Sequence, residues 1–152
     1  MEYINDLGID PTKLTDKELF EEITELTDYL LGDECASELI NRNLELGTKA
    51  CLKVLNYTKD HMFYGDKYYQ AGKFTTLYLY NIDAAIGYTE AHYKTVENYV
   101  LIDIISLFAN NDGEKSKKTR EVLKNYIKQK GKGYFKQIED SSDIIDEFLA
   151  SF

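Results

Sequence analysis

The chain has 152 residues, a formal net charge of −9 at pH 7 and 43% hydrophobic residues. This hydrophobic fraction supplies material for a core and excludes a globally disordered chain. No run approaches the roughly 20 apolar residues of a membrane span, and the first residues lack the pattern of a signal peptide. The two cysteines fit a reducing compartment. We therefore expect one cytoplasmic domain over residues 1–152, without a membrane partner.

The first predicted helix follows an irregular lead over residues 1–15. Thr15 with Glu18 three positions later is the pattern of a capping box, which marks a helix start. Apolar residues then recur at steps of three and four, so the sequence predicts a helix over 16–31.

The second helix is predicted over 34–57, with Gly32 ending the first helix and Asp33 as the new cap. The short connection makes the two helices an antiparallel pair. Glycines, aromatics and β-branched residues follow over 62–80. This composition leaves two alternatives, a small β-hairpin across 62–80 or a helix that starts near Thr75.

The densest apolar and aromatic content lies between Phe74 and Asn110. Polar residues form one stripe along it at steps of four and three, namely Asp83, Gly87, Glu90, Lys94 and Glu97. A helix that is apolar around most of its girth is typical of a central position in a bundle. The stripe changes phase near residue 99, which indicates a break near Asn98 or a buried carboxylate at Asp103.

The last part of the chain predicts a polar loop over 110–118, a helix over 116–130 and an acidic C-terminal helix within 137–152. Together these elements predict an all-α protein. The predicted architecture is a single compact bundle of about five or six helices around a central apolar helix or helical hairpin.

Charge is distributed unevenly along the chain. Residues 1–50 contain 13 acidic and 4 basic side chains, whereas residues 113–136 contain 9 basic and 2 acidic ones. The basic segment also carries aromatic residues such as Tyr126 and Tyr134, a combination that can contact phosphates and stack on bases. Alternatively the segment docks on the chain's own acidic third or forms a solvated helix face. Because the whole chain is acidic, nucleic acid is not the expected partner.

Four side chains form a candidate metal site. Glu22 and Glu25 are three positions apart on the first predicted helix, and Glu38 and Asn41 are three apart on the second. Residues at this spacing share a helix face, and a cluster of oxygen ligands suits Mg²⁺ or Mn²⁺. The alternative is an exposed, solubilising acidic face.

The stretch FEEITELTDYLLGDECASELIN, residues 20–41, resembles the ExxE…ExxD arrangement of the MazG-like all-α nucleotide pyrophosphohydrolases. Asn41 stands where that family has aspartate. The resemblance implies that Glu22, Glu25, Glu38 and Asn41 hold magnesium or manganese. It also implies that the metal activates water to attack a nucleoside triphosphate.

No Ser/His/Asp or Cys/His signature of nucleophilic catalysis is present, so no catalytic residue and no cofactor is expected outside the MazG-like alternative. The leading hypothesis is a small acidic factor that binds another protein with a basic surface, as an inhibitor, immunity-type protein or adaptor. In one version its acids imitate nucleic acid. The oligomeric state stays open. The expected contact residues are Glu18, Glu21, Glu22, Glu25, Asp28, Tyr64, Tyr68 and Tyr69.

Overall fold

The computed structural model describes Asn5 and residues 7–26, 28–60 and 66–152, and its described side chains exclude 58–60 and 66–67. Within these ranges the chain forms eight α-helices and no β-strand, which confirms the all-α class and raises the helix count above five or six. The helices are α1 (Asp16–Thr24), α2 (Tyr29–Arg42), α3 (Leu44–Asp60), α4 (Asp66–Tyr80), α5 (Ile82–His92), α6 (Asn98–Phe108), α7 (Lys117–Lys130) and α8 (Ser141–Ala150). Short 3-10 helices span Pro11–Lys13, Glu114–Ser116 and Lys132–Phe135.

Helix α1 begins where the capping box predicts. The hydroxyl of Thr15 accepts a hydrogen bond from the Glu18 backbone N–H at 3.1 Å, and the Glu18 carboxylate accepts one from the Thr15 N–H at 2.9 Å. The helix ends at Thr24 rather than at residue 31. Leu26 then adopts a left-handed backbone with φ of 59°, which no α-helix of L-residues can contain.

Helix α2 begins at a cap that the sequence analysis missed. Asp28 has an extended backbone, and its carboxylate accepts a hydrogen bond from the Leu31 N–H at 2.9 Å. The prediction that Gly32 ends one helix and Asp33 caps the next is therefore wrong, since both lie inside α2.

The predicted second helix over 34–57 is divided at Asn43. The extended backbone of Asn43 ends α2, and its side chain accepts a hydrogen bond from the Leu46 N–H at 3.0 Å in the first turn of α3. An asparagine that satisfies a free N–H group stabilises a helix start. One residue thus separates two helices where the sequence predicts one.

Helix α4 replaces the hairpin that composition allowed over 62–80. The hairpin is wrong from residue 66 onward, and residues 62–65 lie outside the described residues. Phe74 and Leu77 share one helix face and are almost fully buried. The hydroxyl of Thr75 donates to the carbonyl four residues earlier at 2.8 Å, so this β-branched residue is accommodated in the helix.

The stretch from Phe74 to Asn110 is not one central helix. It is divided among the end of α4, α5 and α6, and no central apolar helix organises the described residues. The break predicted near Asn98 is confirmed, because α5 ends at His92 and α6 begins at Asn98. Asp103 is exposed, so the alternative of a buried carboxylate there is wrong.

The predicted polar loop over 110–118 contains the short helix Glu114–Ser116, and α7 starts inside it at Lys117. The C-terminal helix predicted within 137–152 is α8. Helix α8 buries Ile145 and Phe148 on one face.

The chain divides into two compact units, Met1–Ala84 and Ala85–Phe152. In the first unit α2 packs against α1, α3 and α4, and in the second α6 packs against α8. The largest fully buried apolar side chains are Phe74, Leu19, Ile23, Leu31, Leu39, Leu55 and Leu77 in the first unit and Phe108, Phe135, Phe148 and Leu101 in the second. The single domain over 1–152 stays a prediction.

Gly47 allows α3 to approach α2 closely. A Cβ atom at this position would overlap the backbone of Ile40, which cannot rotate away as a side chain can. We expect Gly47→Ala to lower the free energy of unfolding by about 1–3 kcal/mol, because overpacking outweighs the better helix propensity of alanine. Urea unfolding followed by circular dichroism measures the difference.

Gly87 in α5 supplies the matched control. A Cβ atom there meets nothing within 4 Å. Gly87→Ala should therefore leave stability unchanged or raise it by up to about 1 kcal/mol. A Gly47→Ala protein as stable as the wild type would contradict the close approach of α2 and α3.

Candidate protein-binding surface

Helix α1 and the residue after it present carboxylates that form no ion pair with any described side chain. Glu21 and Glu25 are exposed and lie one helical turn apart on the same face, with Glu22 half-buried beside them. Among the described residues these three glutamates form no ion pair. Their negative charge is therefore available to a partner.

The two other predicted acids have roles within the fold. Glu18 completes the capping box of α1, and hydrogen bonds from the Thr15 backbone and then its side chain lower the pKa of Glu18. Asp28 caps α2. Both carboxylates also add negative charge near the ends of α1.

Three tyrosines meet beside the turn between α1 and α2. Tyr68 stacks on Tyr29 with ring centroids 5.5 Å apart, and Tyr69 meets Tyr29 edge-on at 6.2 Å. The hydroxyl of Tyr69 donates to the carbonyl of Leu26 at 2.9 Å. Tyr64, the third tyrosine predicted for this surface, lies outside the described residues. The structure thus brings the predicted tyrosines of α4 to the C-terminal end of the acidic helix.

Leu26 occupies a strained position at this junction. A left-handed backbone at a bulky residue costs roughly 1–3 kcal/mol and persists only where its surroundings hold it. The hydrogen bond from Tyr69 is one such restraint. Leu26 also lines a groove of about 320 Å³ together with Glu25 and Tyr57.

We call Glu21, Glu25, Leu26, Tyr29 and Tyr68 the acidic–tyrosine surface. Sequence analysis found its acids and Tyr68 but missed Tyr29, which is 42% exposed against 52% for Tyr68. The only sequence signal for Tyr29 is its place directly after a helix-capping aspartate. That signal does not indicate that Tyr29 stacks on Tyr68, which lies 39 positions later on another helix.

A buried ion pair positions the two helices that carry these tyrosines. The Nζ of Lys73 on α4 lies 2.5 Å from Oδ1 of Asp33 on α2, and the Lys73 side chain is fully buried. Glycines make room for it: a Cβ at Gly72 would overlap the Asp33 carboxylate, and one at Gly32 would lie 3.3 Å from Nζ. Burial raises the pKa of Asp33, and the Lys73 ammonium opposes that rise.

The four side chains of the candidate metal site are not assembled into one. Glu38 forms an ion pair with Arg42 at 3.2 Å, Glu25 is the exposed cap after α1, and Asn41 is exposed. Within the described part of the chain, no group of three or more His, Cys, Asp or Glu side chains could hold a metal ion. Glu22, Glu25 and Glu38 do not form such a group, and metal binding by a smaller set of these side chains stays a prediction.

Cys35 and Cys51 are both free thiols and both buried. Burial raises the pKa of each thiol to about 12. Both thiols therefore stay protonated at neutral pH. They are inert, because the thiolate and not the thiol is the nucleophile. Both belong to the buried core of the first unit.

The ion pair makes an asymmetric prediction. Asp33→Ala leaves a buried ammonium without a partner and should cost about 3–5 kcal/mol of unfolding free energy. Lys73→Met should cost less, because the Asp33 side chain is 32% exposed and can reach water. Urea unfolding of both variants measures the two losses.

The double variant Asp33→Ala/Lys73→Met completes the thermodynamic cycle. It should recover part of the stability that Asp33→Ala loses, since the unpaired charge is gone. Equal losses in the two single variants, with additive loss in the double, would show that the pair contributes nothing specific.

Comparison of the sequence and the structure with known proteins found no match. No protein-family model matches the sequence. No curated protein matches it, and no solved structure does. The likeness to MazG-like enzymes is therefore carried by residues 20–41 alone. None of the helices in the described ranges combines the length and the apolar character needed to cross a membrane.

Proposed function

We propose that the protein acts by binding another protein through the acidic–tyrosine surface. The observation that carries this proposal is the exposed, stacked pair of Tyr29 and Tyr68 near the turn that follows Glu21 and Glu25 in the chain. Exposed aromatic rings that are already held in place lose little entropy on binding, and tyrosine is enriched among the residues that dominate binding energy.

The charge of the first unit supports a partner with a basic surface. Residues 1–84 contain 16 acidic and 8 basic side chains. Among the described residues, the ion pairs of Arg42 use Asp16 and Glu38, and neither belongs to the acidic–tyrosine surface. Complementary charge speeds the encounter with a basic partner and selects against acidic ones.

Two versions of this function differ in what supplies the affinity. In the first, Tyr29 and Tyr68 insert into the partner and the acids orient the complex. In the second, Glu18, Glu21, Glu22, Glu25 and Asp28 imitate the phosphates of nucleic acid and occupy a nucleic-acid-binding surface. An inhibitor or immunity-type protein can use either version, and an adaptor fits the first.

The tyrosine contribution is tested by Tyr68→Ala, with Tyr80→Ala on the same helix as a control of similar exposure, 44%. Tagged proteins are used to capture partners from the source cells, and the affinity of the captured partner is then measured by interferometry. We expect Tyr80→Ala to bind as the wild type does and Tyr68→Ala to bind at least about tenfold more weakly. Circular dichroism checks that each variant is folded.

The acidic contribution is tested by Glu21→Gln/Glu25→Gln. The exposed pair Glu45→Gln/Glu114→Gln removes the same charge elsewhere and serves as the control. Measurements at about 50 mM and about 500 mM salt separate the two versions, because screening weakens exposed charge pairs far more than buried aromatic contacts. A partner that Tyr68→Ala and Glu21→Gln/Glu25→Gln both bind unchanged, or no captured partner at all, would overturn the proposal.

A further inference from the structure

A second groove lies within the unit Ala85–Phe152, away from the residues used above. It measures about 390 Å³ and runs between the turn that joins α5 to α6 and the short helix Lys132–Phe135 with the residues that follow it. Two tyrosines line it, Tyr99 and Tyr134, and they are 40% and 46% exposed. The groove therefore has the size of a small-molecule site and two accessible aromatic rings.

Cations accompany these rings. Lys94 lines the groove, and the Nζ of Lys130 lies 5.2 Å from the ring centroid of Tyr134 and 5.7 Å from that of Tyr126. Among the described residues neither Lys94 nor Lys130 forms an ion pair. By contrast, Lys132 is paired with Asp146. Among the described residues, one lysine without an ion pair thus lines the groove, and a second lies over the ring of Tyr134.

We propose that this groove binds a nucleotide unit, with its base stacked on Tyr134 or Tyr99 and its phosphate at Lys94 and Lys130. Aromatic stacking next to lysines is how proteins hold single-stranded nucleic acids without sequence preference. The side-chain amides of Asn98 and Gln137 also line the groove and supply donors and acceptors for a base edge.

The two lysines and the two exposed rings favour a phosphate-bearing ligand with an aromatic group over an acidic peptide that lacks one. Residues 113–136 contain nine basic and two acidic side chains, but residues 137–152 contain five acidic and no basic ones, so Lys94 and Lys130 themselves supply the positive charge beside the groove. A peptide carboxylate would use the lysines but would bring no aromatic group of its own to the two tyrosine rings. A nucleotide uses both features.

One lining residue opposes phosphate. Glu97 lines the groove and precedes α6 without capping it through its side chain. Its carboxylate repels a phosphate, so its removal should strengthen binding of a nucleotide. Glu97→Gln should therefore raise the affinity for a nucleotide, whereas a variant that removes a contact should lower it.

Binding is measured by fluorescence anisotropy with a labelled oligothymidylate of about 12 nucleotides, a length within the range that single-strand sites cover. AMP, inorganic phosphate and a glutamate-rich peptide are used as competitors. If AMP displaces the oligonucleotide when the two are present at similar concentrations of phosphate groups, the groove is a mononucleotide site. If AMP displaces it only weakly, the groove is a strand-binding site. Either result supports the proposal.

Variants of Tyr134 separate stacking from other roles of the side chain. Tyr134→Leu should weaken binding at least about fivefold, whereas Tyr134→Phe keeps the ring and should bind within about twofold of wild type. Lys130→Gln should weaken binding and reduce its salt dependence. Tyr80→Leu, a change of an exposed tyrosine in the other unit, is the matched control and should have no effect.

Three results would overturn the proposal. The first is the absence of binding at about 1 mM protein in low salt. This concentration is far above the dissociation constants of ordinary non-specific binding. The second is binding that Tyr134→Leu and Tyr99→Leu both leave unchanged. The third is displacement of the oligonucleotide by the glutamate-rich peptide but not by AMP, which would assign the groove to an acidic protein segment. None of these results bears on the acidic–tyrosine surface.

Discussion

The first unit depends on a charge that is completely removed from water. Placing an ammonium group in a core is costly unless a carboxylate accepts its hydrogen bonds, and Asp33 is the group that does so for Lys73. This requirement fixes one register of α4 against α2. Tyr29 and Tyr68 are carried by these two helices, so their stacking follows from the same register. The acidic–tyrosine surface is thus a consequence of core electrostatics, not of surface residues alone.

Features with local causes could be predicted from the sequence. The start of α1 at Thr15 needs only two residues three positions apart, and the break before Asn98 is visible in a phase change of the polar stripe. The turn at Leu26 could not be found this way, because leucine is a poor candidate for a left-handed backbone. Asn43 lies between two good helix-forming segments. Local helix propensity therefore favours one continuous helix as much as two helices that break at Asn43.

The sequence allowed the negative charge of the candidate site to be predicted, but not the spatial arrangement of its side chains. Acidic residues at helical spacing identify α1, but tertiary contacts decide which of them remain available. Arg42 draws Glu38 into an ion pair and also binds the carbonyls of Leu14 and Thr12, so it ties the lead to α2 instead of leaving Glu38 for a metal. Lys73 is a further example, because a lysine among aromatic and β-branched residues carries no sequence signal that it will be buried.

The close fit around the buried pair also constrains how this sequence can evolve. Positions 32, 33, 72 and 73 form one steric and electrostatic unit, since a side chain at Gly72 would overlap Asp33 and one at Gly32 would approach Lys73. A larger residue at position 72 becomes acceptable only after Asp33 has been replaced by a smaller residue. Replacing Asp33, however, leaves the buried ammonium of Lys73 without its carboxylate partner. Descendants of this chain should therefore keep all four residues or exchange them together, and co-variation of these positions would mark true relatives even where the surface has diverged.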